Sequence, residues 1–150
     1  MAEVNNSQLG QLKVPFGQST FEVVIPGIDA VGFFRQCQGL EMTFEVYSYR
    51  EGGNNEVVHQ FPSRATYPNL VLERGMTDED ALLRWLWQTR TKAERKEVII
   101  TLHDWGQKTK RSWSFADAFP VRWTGPLLSA ESNDLATETL EIAHSGLLMT

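Results

Sequence analysis

The residue types that most often perform chemistry in proteins are few in this chain and far apart. The histidines are His59, His103 and His144, and the single cysteine is Cys37. No two of them have the spacing of a zinc site, and one cysteine cannot form a disulfide within the chain. We therefore predict that each histidine is a hydrogen-bonded structural residue and that the thiol is buried and unreactive.

Paired carboxylates could supply a general acid and a general base, and Glu41, Glu45, Glu138 and Glu141 are the candidates. Their alternation along predicted strands favours a solvated sheet face instead. The segment 143–146 (Ala-His-Ser-Gly) lacks the leading glycine and central serine of a nucleophile elbow, and no phosphate-binding loop occurs. The sequence predicts a protein that is not an enzyme and that holds no cofactor or metal.

The composition is that of a folded protein. Of the 150 residues, 41% are hydrophobic and 22% are charged. This length predicts one domain over residues 1–150, in which residues 1–18, poor in apolar positions and containing Pro15, form an arm or a poorly ordered lead. The net charge of −5 disfavours sequence-independent binding of nucleic acid, which depends on positive side chains that release counterions from the phosphates.

The N-terminus lacks the positive charge and apolar run of a secretion signal. No stretch of about 18 apolar residues occurs elsewhere in the chain. These two features predict that the chain is made in the cytoplasm and does not insert into a membrane.

Alternating apolar segments separated by turn residues predict many strands and one helix. The helix follows Thr77, a good N-cap, and runs to about Arg90. It contains two tryptophans, Trp85 and Trp87. We expect one of them to pack on the core and the other either to contact a partner or to lie on the chain's own surface. The fold class is therefore mainly β, an antiparallel sandwich or barrel with one flanking helix. The predicted strands cover residues 20–25, 31–38, 41–49, 57–61, 69–74, 97–103, 111–115, 119–123, 127–131 and 136–143.

The most informative stretch is residues 39–75, in which two strand-like runs flank a polar, glycine-rich insert at residues 50–56. The run 41–49 has the period of two expected of a half-buried strand. Hairpins are usually closed by two to five residues, so the longer insert is either a contact loop or a plain surface loop.

The order of short motifs along the chain resembles a known family. The motifs are Gly39-Leu40, residues 49–55, His59, Pro62, Tyr67-Pro68, residues 72–75, Asp78, Trp85, residues 118–120, Trp123 and residues 138–147. In this order they resemble the tail tube proteins of contractile phages and the inner tube subunits of extracellular contractile injection systems. The resemblance covers about residues 15–148.

This resemblance implies a structural subunit whose copies form hexameric rings that stack into a rigid conduit for DNA or protein cargo. It also implies a surrounding sheath protein, baseplate or initiator proteins and a terminator, in a phage tail or an extracellular phage tail-like particle. The closest alternative is the tube protein of type VI secretion, and an alternative of another class is a small-ligand-binding β-barrel.

Two sets of residues are predicted to act in such a tube. The polar insert and its borders are expected to contact a neighbouring ring or subunit: Tyr49, Arg50, Glu51, Gly52, Gly53, Asn54, Asn55 and Glu56. Strand parity assigns a second set to the polar, lumen-facing side of a joined sheet: Glu41, Thr43, Glu45, Thr139 and Glu141. Their neighbours Met42, Phe44, Leu140 and Ile142 are then expected in the core.

Overall fold

A computed structural model describes residues 20–28, 34–53, 57–104, 106 and 108–149, so the predicted arm at residues 1–18 lies outside the described residues. These residues contain nine strands and one helix, which confirms the mainly β class. The strands are β1 (Thr20–Val24), β2 (Gln36–Gln38), β3 (Thr43–Arg50), β4 (Val58–Thr66), β5 (Leu70–Gly75), β6 (Lys96–His103), β7 (Thr109–Thr124), β8 (Thr137–Ala143) and β9 (Gly146–Met149). The helix, α1 (Ala81–Thr89), lies between β5 and β6.

Seven strands form one bent antiparallel sheet in the order β1-β6-β7-β8-β5-β2, with β9 beside β7. Strand β7 belongs to both halves of this sheet, because its first part pairs with β6 and β9 and its last part with β8. The chain bends at Asp117, whose φ is 52°. Ser145 holds the bend: its amide donates to the carbonyl of Ala116 at 2.9 Å, and its hydroxyl donates to the Asp117 carboxylate at 3.1 Å. The sheet thus curls into a half-barrel.

The inner side of this curl holds the hydrophobic core. Inward-facing positions alternate along β5, β6 and β8, as strand geometry requires. Helix α1 covers the core with Leu82 and Trp85, and the indole of Trp85 donates to the carbonyl of Glu94 at 3.1 Å. The buried hydrophobic residues are Val23, Ile25, Phe34, Leu70, Leu72, Leu82, Trp85, Val98, Ile100, Phe115, Ala118, Leu140 and Ile142.

One charge pair is buried beside this core. The Nε of Arg74 in β5 lies 2.6 Å from a carboxylate oxygen of Glu138 in β8, and both side chains are about 5% exposed (6% and 5%). The indole of Trp123 donates to the other oxygen of Glu138 at 3.0 Å. The prediction that Glu138 lies on a solvated face is therefore wrong: it has the parity of Leu140 and Ile142 and points inward with them.

The helix begins later than its N-cap signal predicts. It starts at Ala81 and ends at Thr89, whereas Thr77 uses its hydroxyl to accept the amide of Glu79 at 3.2 Å. Thr77 therefore stabilises a turn before the helix. At the actual start, the Asp80 carboxylate binds Arg84 at 2.7 Å and caps no backbone amide.

Several strand boundaries also differ from the prediction. Residues 127–131 are not a strand, the two segments 111–115 and 119–123 are parts of β7, and β9 was not predicted. Pro62 does not end β4, because the register shifts opposite this proline and the strand continues. Of the predicted strand 31–38, residues 31–33 lie outside the described part, and β2 covers only Gln36–Gln38.

Gly39 allows the chain to leave β2. Its φ is +98°, and a Cβ there would lie 2.3 Å from the carbonyl oxygen of Asn69. Only glycine fits so close to another backbone at this φ. The glycine thus fixes the point at which the chain departs from the main sheet towards β3.

Candidate assembly surfaces

Strands β3 and β4 form a hairpin that is separate from the main sheet. They pair with each other in a two-stranded sheet, and every residue of β3 is exposed. The prediction of a half-buried strand is therefore wrong for the single chain, and Met42 and Phe44 are 44% and 49% exposed instead of lying in the core. The alternation that predicts a strand is correct, but nothing in the described part of the same chain covers its apolar face.

Both faces of this hairpin carry large apolar side chains. The register places Tyr47 opposite Phe61 on one face and Val46 opposite Pro62 on the other. Tyr47 and Val46 are each 60% exposed, and Phe61 is 52% exposed. Contiguous exposed apolar surface of this kind marks protein contact sites in soluble proteins. The hairpin is therefore a candidate contact surface.

The tip of the hairpin contains the first residues of the predicted contact set. Tyr49 and Arg50 end β3, and Gly52 and Gly53 form the turn, with Gly53 at a φ of 97°. The Glu51 carboxylate lies 3.8 Å from Nε2 of His59, and the His59 ring stacks on Phe61 with centroids 6.5 Å apart. Asn54, Asn55 and Glu56 lie outside the described residues. The inter-ring role of this tip remains a prediction.

The outer face of the main sheet is polar along β8. Thr139 and Glu141 lie on this face, while Leu140 and Ile142 between and beside them are buried, as parity predicted. The amide of Asn69 donates to the Glu141 carboxylate at 3.0 Å. This part of the sheet therefore presents hydrogen-bonding groups to its surroundings.

The other predicted lumen residues lie elsewhere. Glu41 precedes β3, and Thr43 and Glu45 lie in β3, so these three belong to the hairpin. The hydroxyl of Thr43 donates to the Glu41 carboxylate at 3.4 Å. Within one chain the five predicted residues therefore form two groups: Glu41, Thr43 and Glu45 belong to the hairpin, and Thr139 and Glu141 belong to β8 of the main sheet. Their common lumen-facing role remains a prediction.

The histidines and the cysteine have structural surroundings. His103 lies 3.3 Å from Glu22, and Nε2 of His144 hydrogen-bonds the carbonyl of Pro68 at 3.1 Å. Burial lowers the pKa of His144 below its ordinary value, and burial raises the pKa of the Cys37 thiol to about 11. A thiol with so high a pKa is a poor nucleophile at neutral pH. Throughout the residues described, no three metal-binding side chains cluster, and no helix is long and apolar enough to cross a membrane.

The two tryptophans of α1 differ in solvent exposure. Trp85 is 1% exposed in the core, whereas Trp87 is 65% exposed. The guanidinium of Arg90 lies 4.5 Å from the Trp87 ring centre. Trp87 is thus a surface residue that is partly covered by a cation–π contact.

Sequence reasoning missed a second apolar surface, in the connection between β7 and β8. Leu127, Leu128 and Leu135 are 95%, 84% and 89% exposed. The leucines suggested a strand, but the turn formers Gly125-Pro126 before them and residues 132–134 after them could have indicated a loop. This loop projects from the sheet with its apolar side chains in solvent.

A cleft completes the set of candidate surfaces. It lies between β1 and β2, has a volume of about 590 Å³ and is open to solvent. Its lining residues include Phe21, Phe34, Leu40, Ile100, Leu102 and Trp113, with Cys37 in the same wall. No sequence signal predicted it, because it forms between two consecutive strands that lie at opposite ends of the sheet order.

The folded chain is similar to subunits of contractile particles. A chain in the six-fold symmetrised baseplate of the anti-feeding prophage shares 27% identity with a TM-score of 0.76, covering 93% of this chain and 97% of that chain. A chain in the PVC sheath-tube complex, an extracellular contractile injection system in its extended state, shares 22% identity with a TM-score of 0.79, covering 99% of each chain. At that identity the second likeness shows the fold alone.

Structural similarity to Hcp1 proteins is weaker. Hcp1 from Flavobacterium johnsoniae shares 14% identity with a TM-score of 0.52, covering 88% of this chain and 100% of that chain. It shows a common fold and no more. A comparison with curated proteins gave no match.

The sequence itself matches a family profile, that of the T4-like virus tail tube protein gp19, over residues 17–148. This match spans both the curled sheet and the exposed hairpin. It agrees with the assembly surfaces described above, which a solitary soluble protein would not need. The chain therefore belongs to the T4-like virus tail tube protein family and is a structural tube subunit of the contractile type.

Proposed function

We propose that six copies of this chain close into a ring and that the rings stack into the inner tube of a contractile tail or extracellular injection particle. The observation that carries the proposal is the β3–β4 hairpin, whose two faces expose Val46, Tyr47 and Phe61 in the single chain. A subunit that is surrounded by its own copies would bury these side chains. The six-fold symmetry of the related baseplate supports the ring order.

Ring closure also accounts for the free sheet edges. In the described residues β1 pairs only with β6, and β2 pairs only with β5, so each has one outer edge without a strand partner. Such edges promote uncontrolled association unless a neighbour covers them. A closed ring gives every copy the same neighbour on each side and leaves no edge over.

The predicted contact and lumen residues fit this arrangement. Residues 49–56 at the hairpin tip would reach a neighbouring copy or ring, and Glu41, Thr43, Glu45, Thr139 and Glu141 would line the conduit for DNA or protein cargo. A sheath would surround the tube, and a baseplate or initiator and a terminator would cap its ends. The role is mechanical and needs no catalysis by the chain.

Native mass spectrometry and negative-stain electron microscopy of the purified protein test the proposal. We expect six-membered rings and stacks of rings without added cofactor, both alone and with purified baseplate complex as a nucleus. A stable 17.1 kDa monomer under all these conditions would favour the ligand-binding barrel. Rings of another order would contradict the six-fold arrangement.

A further inference from the structure

The cleft between β1 and β2 is apolar but open. Phe21 and Leu102 form one wall, and Phe34 and Leu40 form the opposite wall. Because β1 and β2 do not pair with each other, the backbone edges that border the cleft are also open among the described residues. A cleft of about 590 Å³ has room for two or three side chains of another segment.

The segment between β7 and β8 has the opposite shape. We call residues 125–136 the leucine loop; it carries no strand or helix, and Leu127 and Leu128 at its start are 95% and 84% exposed. Two adjacent leucines so fully exposed are unusual on a soluble surface. Apolar side chains on a projecting loop are suited to fill a cleft on another molecule.

The charges of the two surfaces are complementary. The leucine loop contains Glu131 and Asp134 and no basic residue. Arg35 lines the cleft; its side chain is 71% exposed and lies 3.5 Å from the Glu73 carboxylate. Arg111 is opposite Leu102 in the register and so lies on the same face of the sheet. An acidic loop and a basic rim attract each other and favour one orientation of the contact.

We propose that the leucine loop of one copy binds in the cleft of an adjacent copy, with Leu127 and Leu128 against the apolar walls and the loop carboxylates towards Arg35 and Arg111. The inference rests on the proposed function in that it requires self-association. Each copy offers one loop and one cleft, so the contact is head-to-tail and is repeated from copy to copy. Contacts of this type close into a ring when the rotation between copies allows it.

A pair of introduced cysteines provides the test. Leu40 lies in the cleft wall and is 42% exposed, and the native thiol of Cys37 is removed because its raised pKa makes it react poorly. We would mix two variants that both carry Cys37→Ser, one with Leu128→Cys and the other with Leu40→Cys, let them assemble, and add a short bismaleimide. Each chain then has one thiol, so a link between the cysteine at position 40 of one and the cysteine at position 128 of the other must join two copies.

The expected result is a cross-linked dimer of the two chains, confirmed by mass spectrometry of the linked peptides. The matched control replaces Leu128→Cys by Trp87→Cys, at a position that is also exposed, and should give no link to the cysteine at position 40. A Val46→Cys variant tests whether the hairpin fills the cleft instead. Stronger linkage from Val46→Cys, or assembly without linkage from Leu128→Cys, overturns the inference and leaves the proposed function standing.

A second measurement does not depend on cross-linking. We expect Leu127→Ser with Leu128→Ser to raise the protein concentration for half-assembly at least about tenfold, with unchanged circular dichroism, because exposed leucines contribute little to folding. Trp87→Ser is the control and should leave assembly unchanged. An unaltered midpoint in the double variant contradicts the inference, and an unmodified chain that never assembles overturns both this inference and the proposed function.

Discussion

At the residue scale, the buried pair of Arg74 and Glu138 makes the sharpest prediction. Glu138→Gln replaces the carboxylate that binds the buried Arg74 guanidinium by a neutral amide, and breaking such a pair from one side costs about 3–5 kcal/mol. We expect the free energy of unfolding, measured by urea denaturation, to fall by about 3 kcal/mol. Asp80→Asn in the exposed pair with Arg84 is the matched control, since exposed pairs contribute about 0–1 kcal/mol. Equal losses in the two variants would contradict this account.

His144 predicts a pH dependence of stability. Burial lowers its pKa more than the backbone hydrogen bonds of Pro68 and Gly146 raise it, and its ring packs edge-on against Phe115 at 4.8 Å. Below about pH 6.5, the unfolded chain binds a proton that the folded chain resists. Stability should therefore fall as the pH decreases from about 6.5 to the lowered pKa of His144.

Urea denaturation at a series of pH values measures this effect. We expect His144→Gln to be less stable than the unmodified chain at neutral pH, but to lose less stability as the pH is lowered. The control is Gln60→Ala, at a residue of the exposed hairpin that does not titrate, and it should retain the pH dependence of the unmodified chain. If His144→Gln shows the same slope as the unmodified chain, another group is responsible.

At the element scale, the hairpin tip should act on assembly and not on folding. Arg50→Ala with Glu51→Ala removes two charges from a segment that packs on no core residue, so the free energy of unfolding should change by less than about 0.5 kcal/mol. Tubes should become shorter and less resistant to salt, as measured by electron microscopy and sedimentation. The control is Asp80→Ala with Arg84→Ala on α1, and undiminished tubes in the hairpin variant would show that the tip makes no stacking contact.

The strands were largely predictable from the sequence, but their surroundings were not. Alternation identified β5, β6 and β8 within a few residues, because each has one buried face. The same alternation in β3 could not show that all of its side chains are exposed in the single chain. β7 was divided in two because the bend at Asp117 interrupts the period, and an exposed leucine pair at Leu127 looks in sequence like a buried one.

Of the candidate surfaces, the hairpin tip could be predicted from the sequence and the cleft could not. Turn formers indicated a projecting tip near Gly52-Gly53, which the structure places at the end of the hairpin. The cleft lies between β1 and β2, which follow each other in sequence but stand at opposite ends of the sheet order and leave a gap between them. No local pattern records a gap of that kind, since it depends on the whole sheet order.

At the scale of the whole molecule, the net charge of −5 predicts how the tube treats its cargo. An acidic wall repels polyanions and limits adhesion at close range. Glu45→Lys with Glu141→Lys should preserve rings by electron microscopy and yet reduce ejection or loading of cargo. The control is Asp78→Lys with Glu79→Lys, an equal charge change near the start of α1, which should leave cargo passage unchanged.

Rings that fail to form in the Glu45 and Glu141 variant would instead assign these carboxylates to contacts between subunits. Cargo passage equal to that of the unmodified chain would remove them from the lumen. Both results can be read from the same preparations, because electron microscopy reports assembly separately from passage.

The shared strand β7 has a mechanical consequence. Its sixteen residues run without interruption from one half of the sheet into the other. A shearing load applied to one half therefore reaches the other through covalent backbone bonds, whereas two sheets joined only by side-chain packing could slide past each other. The bend at Asp117, which Ser145 stabilises by hydrogen bonds, then fixes the angle between the two halves of the sheet under load. In the proposed tube, one such joint in every subunit would resist shear between the two halves of each sheet.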